Sequence, residues 1–161
     1  MLINSENGVI DLETFTTRLY KGMKFDQLKQ TDFYKEKYHS MRDVKTGYFW
    51  YYFQHIEITG YQVSFSLCFF RDQLDIIHMS TWEKTDAKDW NDWTEEKEMR
   101  VFHRNNTFLT SILEMLPTQK KKTPYPSCTF NFPWGNIWSV YDPRSASSLM
   151  GINFNEEEKN K

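Results

Sequence analysis

The chain has 161 residues, a formal net charge of −2, 26% charged and 17% aromatic residues, and a mean hydropathy of −0.72. That length can bury one continuous core. Six Gly and five Pro are too few for a collagen-like or low-complexity chain, and the charge balance lacks the concentrated positive field that phosphate binding needs, so nucleic acid is not an expected partner.

In chain order, Asp11 is placed to cap a short helix carrying Leu12, Phe15 and Leu19, with Gly22 ending it. A second helix is expected over residues 24–37, with Phe25, Leu28 and Phe33 inward, followed by a charged loop over 38–46. Residues 48–80 read as three antiparallel strands. Tyr61, Val63, Phe65, Leu67 and Phe69 alternate with polar residues and Cys68, the period of a half-buried strand. A two-residue turn at Thr59-Gly60 pairs Ile58 with Tyr61, Ile56 with Val63, Tyr52 with Leu67 and Trp50 with Phe69 on one face. Thr59 suits a positive φ poorly, which keeps a longer turn open. The other face carries Phe49, Tyr51, Phe53, His55 and Glu57, aromatic enough to need partial cover. The third strand follows a turn near Arg71-Asp72-Gln73, and its register is ambiguous between Leu74/Ile76 and Ile77/Met79.

A polar connection covers 82–91. Asp92 with Glu95 resembles a capping box and opens a long helix to about Leu116, with an apolar stripe of Phe102, Leu109, Ile112, Leu113 and Leu116. His103 and Arg104 lean away from that stripe, and Pro117 stops the helix. Lys120, Lys121 and Lys122 fall in a loop, and residues 128–132, 136–141 and 148–154 read as closing strands. The expected fold is therefore α+β: a single antiparallel sheet of about five to six strands, with N-terminal helices and one long helix packed on it. Residues 1–154 form its one domain, and 155–161 a charged flexible tail.

No apolar run spans a bilayer, and the first six residues lack the regions of a signal peptide. Two cysteines far apart, Cys68 and Cys128, then fit a cytoplasmic chain with free thiols, ahead of a Cys68–Cys128 disulfide.

No catalytic, metal or nucleotide motif stands on its own, and no cofactor is expected. Asp75 and His78 differ by an odd offset, which puts them on opposite faces of a strand and argues against joint metal ligation. Cys68 and Cys128 sit in strands, without the helix start or glycine-rich turn that would activate a thiolate. The glycines are isolated, so no phosphate loop exists. Lys120–Lys122 with Arg100 and Arg104 make a small basic region able to touch phosphate, although three lysines in a loop equally serve solubility.

Two segments suit a protein partner. Residues 82–98 hold seven acidic residues against three lysines, with Trp82, Trp90 and Trp93 interleaved. Acidic groups speed encounter with a basic partner and tryptophan supplies binding energy, which marks Trp82, Asp86, Asp89, Trp90, Asp92 and Glu95. The same acids also fit a solvated helix entry, since a helix dipole favours them there. In the C-terminal hairpin, Trp138 and Arg144 are the remaining candidates. Asp142-Pro143-Arg144-Ser145 has the chemistry of a turn, which needs no guanidinium; Arg144 pairs with Asp142 or with a partner's carboxylate.

The pattern Phe-x-x-Gln-Leu-Asp-x-Ile over residues 70–77 and the segment Trp134-Gly135-x-Ile137-x-Ser139-x-Tyr141-Asp142-Pro143-Arg144-Ser145 resemble small bacterial cytosolic proteins, among them immunity proteins of polymorphic and contact-dependent toxin systems. The resemblance covers the last two-thirds of the chain. It implies a non-enzymatic protein that binds and neutralises one cognate toxin, often a nuclease, and hence a basic toxin domain as partner. Two other readings stand beside it. One is an adaptor or structural protein, homodimeric through an aromatic sheet face. The other is a small hydrolase or nucleic-acid-processing enzyme using His55, His78 or His103.

Overall fold

Alternation with period two governs this fold more widely than the sequence first suggests. The computed structural model describes residues 1–155, so the expected tail over 156–161 lies outside the described residues. Asn155, expected to begin that tail, is held in place. Its N–H donates to the Trp134 carbonyl at 2.8 Å, its side-chain amide to the Pro133 carbonyl at 2.8 Å, and its carbonyl accepts from Lys21 Nζ at 3.0 Å.

The expected first helix is a small sheet instead. Strands β1 (Leu2–Ile3), β2 (Ile10–Leu12) and β3 (Thr17–Leu19) pair antiparallel around a 3-10 turn at Glu13–Phe15. Ile10, Leu12, Thr17 and Leu19 are buried, while Asp11 caps nothing and pairs with Arg18 at 3.2 Å. The chain reverses through the 3-10 turn and Thr16, which is left-handed at φ 48°, so Ile10 and Leu12 face Leu19 and Thr17 across a strand pair, and two-residue alternation replaces the helical spacing of Leu12, Phe15 and Leu19. The second helix is two helices, α1 (Phe25–Gln30) and α2 (Asp32–Lys37), broken at Thr31. Thr31 is extended, and its hydroxyl caps α2 by accepting from the Tyr34 N–H at 3.2 Å. Leu28 and Phe33 are fully buried, as expected.

A nine-stranded antiparallel sheet dominates, larger than the five to six strands expected. It contains β4 (Tyr38–Asp43), β5 (Tyr48–Phe53), β6 (Ile56–Ile58), β7 (Tyr61–Phe70), β8 (Gln73–Trp82), β9 (Gln119–Lys121), β10 (Ser127–Phe132), β11 (Gly135–Asp142) and β12 (Ser147–Phe154). Their order is β4-β5-β7-β8-β12-β11-β10-β9, with β6 also beside β7. The two strands read as loops, β4 and β9, are the sheet's edges. Charged residues are normal there because they discourage further pairing. The halves built from β4–β8 and β9–β12 are joined in the sheet where Ile77, His78 and Met79 pair with Ile152, Gly151 and Met150.

Register departs from expectation at two points. The Thr59-Gly60 turn has two residues, both at positive φ (48° and 84°), and Ile58 pairs with Tyr61 and Ile56 with Val63. Beyond the Gln54-His55 interruption, however, Tyr52 faces Ser66 and Trp50 faces Cys68. One extra residue on this side of the pair flips every side chain of β5. Phe53 and Tyr51 therefore point to the core and Trp50 and Tyr52 away from it, the reverse of the expected faces. The cover anticipated for the aromatic face exists: Phe25 stacks on Tyr51 at 4.3 Å and Phe33 on Phe53 at 4.5 Å. A second irregularity, at Asp75, lets Leu74, Ile77 and Met79 all be buried, which resolves the ambiguity in β8.

The long helix α3 (Glu95–Leu113) starts from Thr94, whose hydroxyl accepts from the Lys97 N–H at 3.2 Å. Asp92 is not its cap. Phe102 and Leu109 are buried as expected, joined by Val101, Asn105 and Phe108; Leu116 lies beyond the helix and is exposed. α3 packs on β8, β11 and β12, while α2 reaches β7 through Phe33 and Phe65. All helices and the small sheet thus serve one face of the large sheet. Among the described residues, no helix is long and apolar enough to cross a membrane.

Candidate partner-binding site

Residues 83–94 leave β8 at the sheet's end and return as α3. Their path is fixed from inside. Asp86 accepts from the Glu83 N–H at 2.8 Å, closing a turn. The Arg104 guanidinium, about nine-tenths buried, donates to Asp86 Oδ1 at 3.1 Å, pairs with Asp86 Oδ2, and lies 3.3 Å from Glu83. It also donates to the Thr81 hydroxyl at 3.0 Å and the Thr81 carbonyl at 3.1 Å. The next helix residue, Asn105, accepts from the Thr81 N–H at 3.0 Å and its hydroxyl at 2.7 Å. Arg104, expected only to lean away from the apolar stripe, is thus bound by Asp86 and Thr81, and Asp86 is engaged within the chain.

Further along, Asp89 accepts from the Asn91 and Asp92 N–H groups at 2.8 and 3.1 Å. Asp92 pairs with Lys97 and accepts from the Lys88 N–H at 3.2 Å. The Lys97 bond, more than the Lys88 one, holds its carboxyl below the usual carboxylate range. Glu95 is exposed, 3.5 Å from the Tyr141 hydroxyl. Trp93 donates its indole N–H to the Ala146 carbonyl at 3.1 Å, which ties the loop to the β11–β12 turn. Trp90 rests near Trp93, with ring centroids 6.4 Å apart, and is 75% exposed. Trp90 and Trp93, with Lys88, Asp89, Glu98 and Ser145 to Ser147, line an open cleft of about 310 Å³. Trp93 lies in the acidic, tryptophan-rich segment but is not marked there as a site residue, and Ala146 lies outside that segment; a half-buried indole N–H needs an acceptor, which is the signal that Trp93 would be tied down.

The other candidates lie elsewhere. Trp82 stacks on His55 with centroids 5.0 Å apart. Trp138 lies on the outer face of the sheet, 5.5 Å from His78. Arg144 is in the β11–β12 turn, donating to both Asp142 oxygens at 3.1 Å with its charge 4.9 Å from the Tyr125 ring. Asp142 accepts from the Arg144 N–H at 2.9 Å, and pairing within the turn is the outcome for this arginine. The basic region is divided: Arg104 is used by Asp86, while Lys120 to Lys122 border a separate groove of about 810 Å³ with Met99, Phe102 and Leu116.

The titratable groups do not converge. Among the described residues, no three His, Cys, Asp or Glu side chains are grouped to hold a metal ion. Both cysteines are free and buried; burial, with Asp75 nearby, pushes the Cys68 thiol up to about 11, and burial also raises Cys128. His78 lies between Trp50 at 4.9 Å and Trp138, and burial lowers its pKa below the ordinary value. The folded protein thus favours the neutral ring. Below the unfolded value of about 6.5 the unfolded chain binds a proton that the folded one resists, so stability is full above that pH and is lost as pH falls toward the lowered folded value. The urea midpoint is expected to drop between pH 7.5 and pH 5, and His78→Gln to reduce that drop. An unchanged slope in the variant would remove His78 as its source.

No protein-family model matches this sequence, and no curated protein or solved structure matches it significantly.

Proposed function

We propose that the protein is a non-enzymatic immunity or inhibitor protein of the bacterial cytoplasm, which binds and neutralises a basic toxin domain through residues 83–95. The exposure of Trp90 carries this reading: a large apolar ring stands in solvent on a loop whose neighbours are bonded in place. A ring held out on a preorganised base loses little freedom on binding, and aromatic anchors of this kind dominate interface energies. Asp89 lines the cleft beside it, and Asp92, Glu95 and Glu96 follow within six positions, a local negative charge suited to steering a basic surface. A nuclease toxin, whose own substrate is anionic, has that chemistry.

The test is binding kinetics with the toxin recovered from the host, at two salt concentrations. Trp90→Ala is expected to raise the dissociation rate about 30-fold, the scale of a hot spot. Reversing Glu95 and Glu96 to lysine is expected to slow association about tenfold at low salt and less at high salt. Asp86 is the wrong residue to reverse, because it would release Arg104. If both rates stay unchanged in every variant, this loop is not the contact surface.

A further inference from the structure

The outer face of the large sheet is covered by no helix or strand of the described chain. On a solvated antiparallel face, charged residues normally alternate with the buried ones. In this chain, with 26% charged residues, the centre of that face has none. Across the strands, registered neighbours run Tyr52, Ser66, His78, Gly151 and Trp138, with Trp50 in the adjacent row. Among the described residues, charges reach this side only at the margins, on Arg42 and Lys121 of the edge strands, Glu57 of β6, Asp75 at the irregularity, Arg71 in the β7–β8 turn over the Phe70 ring, and Asp142 at the end of β11. Aromatic and uncharged polar residues inside a charged rim make the composition of a protein interface.

The centre is also closely packed. Trp138 lies down over β12 at Gly151, where an added Cβ would sit 2.1 Å from the indole. A strand glycine of this kind marks close approach. His78 packs against Trp50 with ring centroids 4.9 Å apart and meets Trp138 edge-on at 5.5 Å, and all three rings are half-buried.

We infer that this face is the contact between two copies of the chain, packed sheet on sheet in a symmetric dimer. Charge selects the occupant. An uncharged centre offers nothing to a polyanion or to a strongly charged protein, but it matches an equally uncharged surface, which a second copy presents. Arg42 and Lys121 stand on the two opposite edges, seven strand spacings apart or about 34 Å, well beyond screening distance. The area suffices as well: eight strands about 4.8 Å apart and about seven residues long, at about 3.3 Å each, give on the order of 900 Å², against roughly 800 Å² per partner in a standard interface. Two twisted sheets meet face to face at about 30° without distortion. Trp90 and its loop stand at the sheet's end, so the dimer leaves the proposed toxin site open on both copies.

Sedimentation equilibrium of the full chain across about 1–100 µM tests this. The mass is expected to rise from 19.5 kDa toward twice that value. Ser66→Lys puts a charge at the centre without emptying any space, and is expected to weaken dimerisation at least about 100-fold, since an unpaired charge would be buried. Its circular dichroism should match the parent, and Trp138→Ala, read the same way, provides a second variant. Trp90→Ala should dimerise normally, which separates this proposal from the toxin-binding one. A monomeric mass throughout overturns the proposal. So does a dimer that persists in folded Ser66→Lys, because the contact would then lie elsewhere.

Discussion

Arg104→Ala is expected to destabilise the protein by about 3–5 kcal/mol, the range for removing one partner of a buried ion pair. The cost lies less in the lost contacts than in what stays behind. The Arg104 and Asp86 side chains are only 11% and 10% exposed. Without the guanidinium, Asp86 keeps a buried carboxylate with the Glu83 N–H as its one remaining partner, and the Thr81 carbonyl loses a donor. Arg104→Lys should recover only part of the loss, because an ammonium cannot reproduce a fork that serves Asp86 and Thr81 together. Urea denaturation measures the change. Partner binding reads out a second consequence: with its anchor gone the 83–94 loop loses preorganisation, and affinity should fall although Arg104 itself is not at the surface. A loss below about 1 kcal/mol would show that the loop is held by other contacts.

Phe33→Ala is expected to cost about 3–5 kcal/mol through the cavity it leaves. Phe33 is fully buried where three elements meet. Its ring stacks on Phe53 at 4.5 Å and meets Phe15 and Phe65 edge-on at 5.6 and 5.8 Å. It joins the small N-terminal sheet, through Phe15, to the large one. Phe33→Leu, which fills most of the space, should cost much less. Protease cleavage within residues 1–37 should quicken in Phe33→Ala at urea concentrations where the rest of the fold persists. Equal sensitivity of the whole chain would instead make the N-terminal layer part of one cooperative unit.

The sequence shows the hairpin strands of the large sheet, the long helix and the inward set Val63, Phe65 and Leu67, because each declares a period. What it hides has physical causes. β4 and β9 look like loops because edge strands carry charge. The faces of β5 are reversed because one extra residue near Gln54 and His55 shifts a register that hydrophobicity alone leaves undecided: Trp50 and Tyr52 are as apolar as Phe53 and Tyr51. At the candidate site, the acid- and tryptophan-rich composition was plain, but its division of labour was not. Asp86 and Asp89 look alike in sequence and both close turns, but only Asp86 is drawn inward, by Arg104 eighteen positions beyond it, while Asp89 stays exposed. Trp90 and Trp93 look alike too, until Trp93 finds the Ala146 carbonyl on a distant turn.

The meeting of β8 with β12 sets a kinetic problem for the chain. Each half of the large sheet grows largely from strands adjacent in sequence, through short turns that close at little entropic cost. The seam between them joins Met79 to Met150, about seventy residues apart, through three residue pairs. That closure is supported by the buried seam residues Ile77, Met79, Met150 and Ile152 and by α3, which lies between the halves in sequence and packs on β8, β11 and β12 at once. High contact order is thus concentrated in one place, and the speed of folding should be governed by how well this helix has formed when the two halves meet.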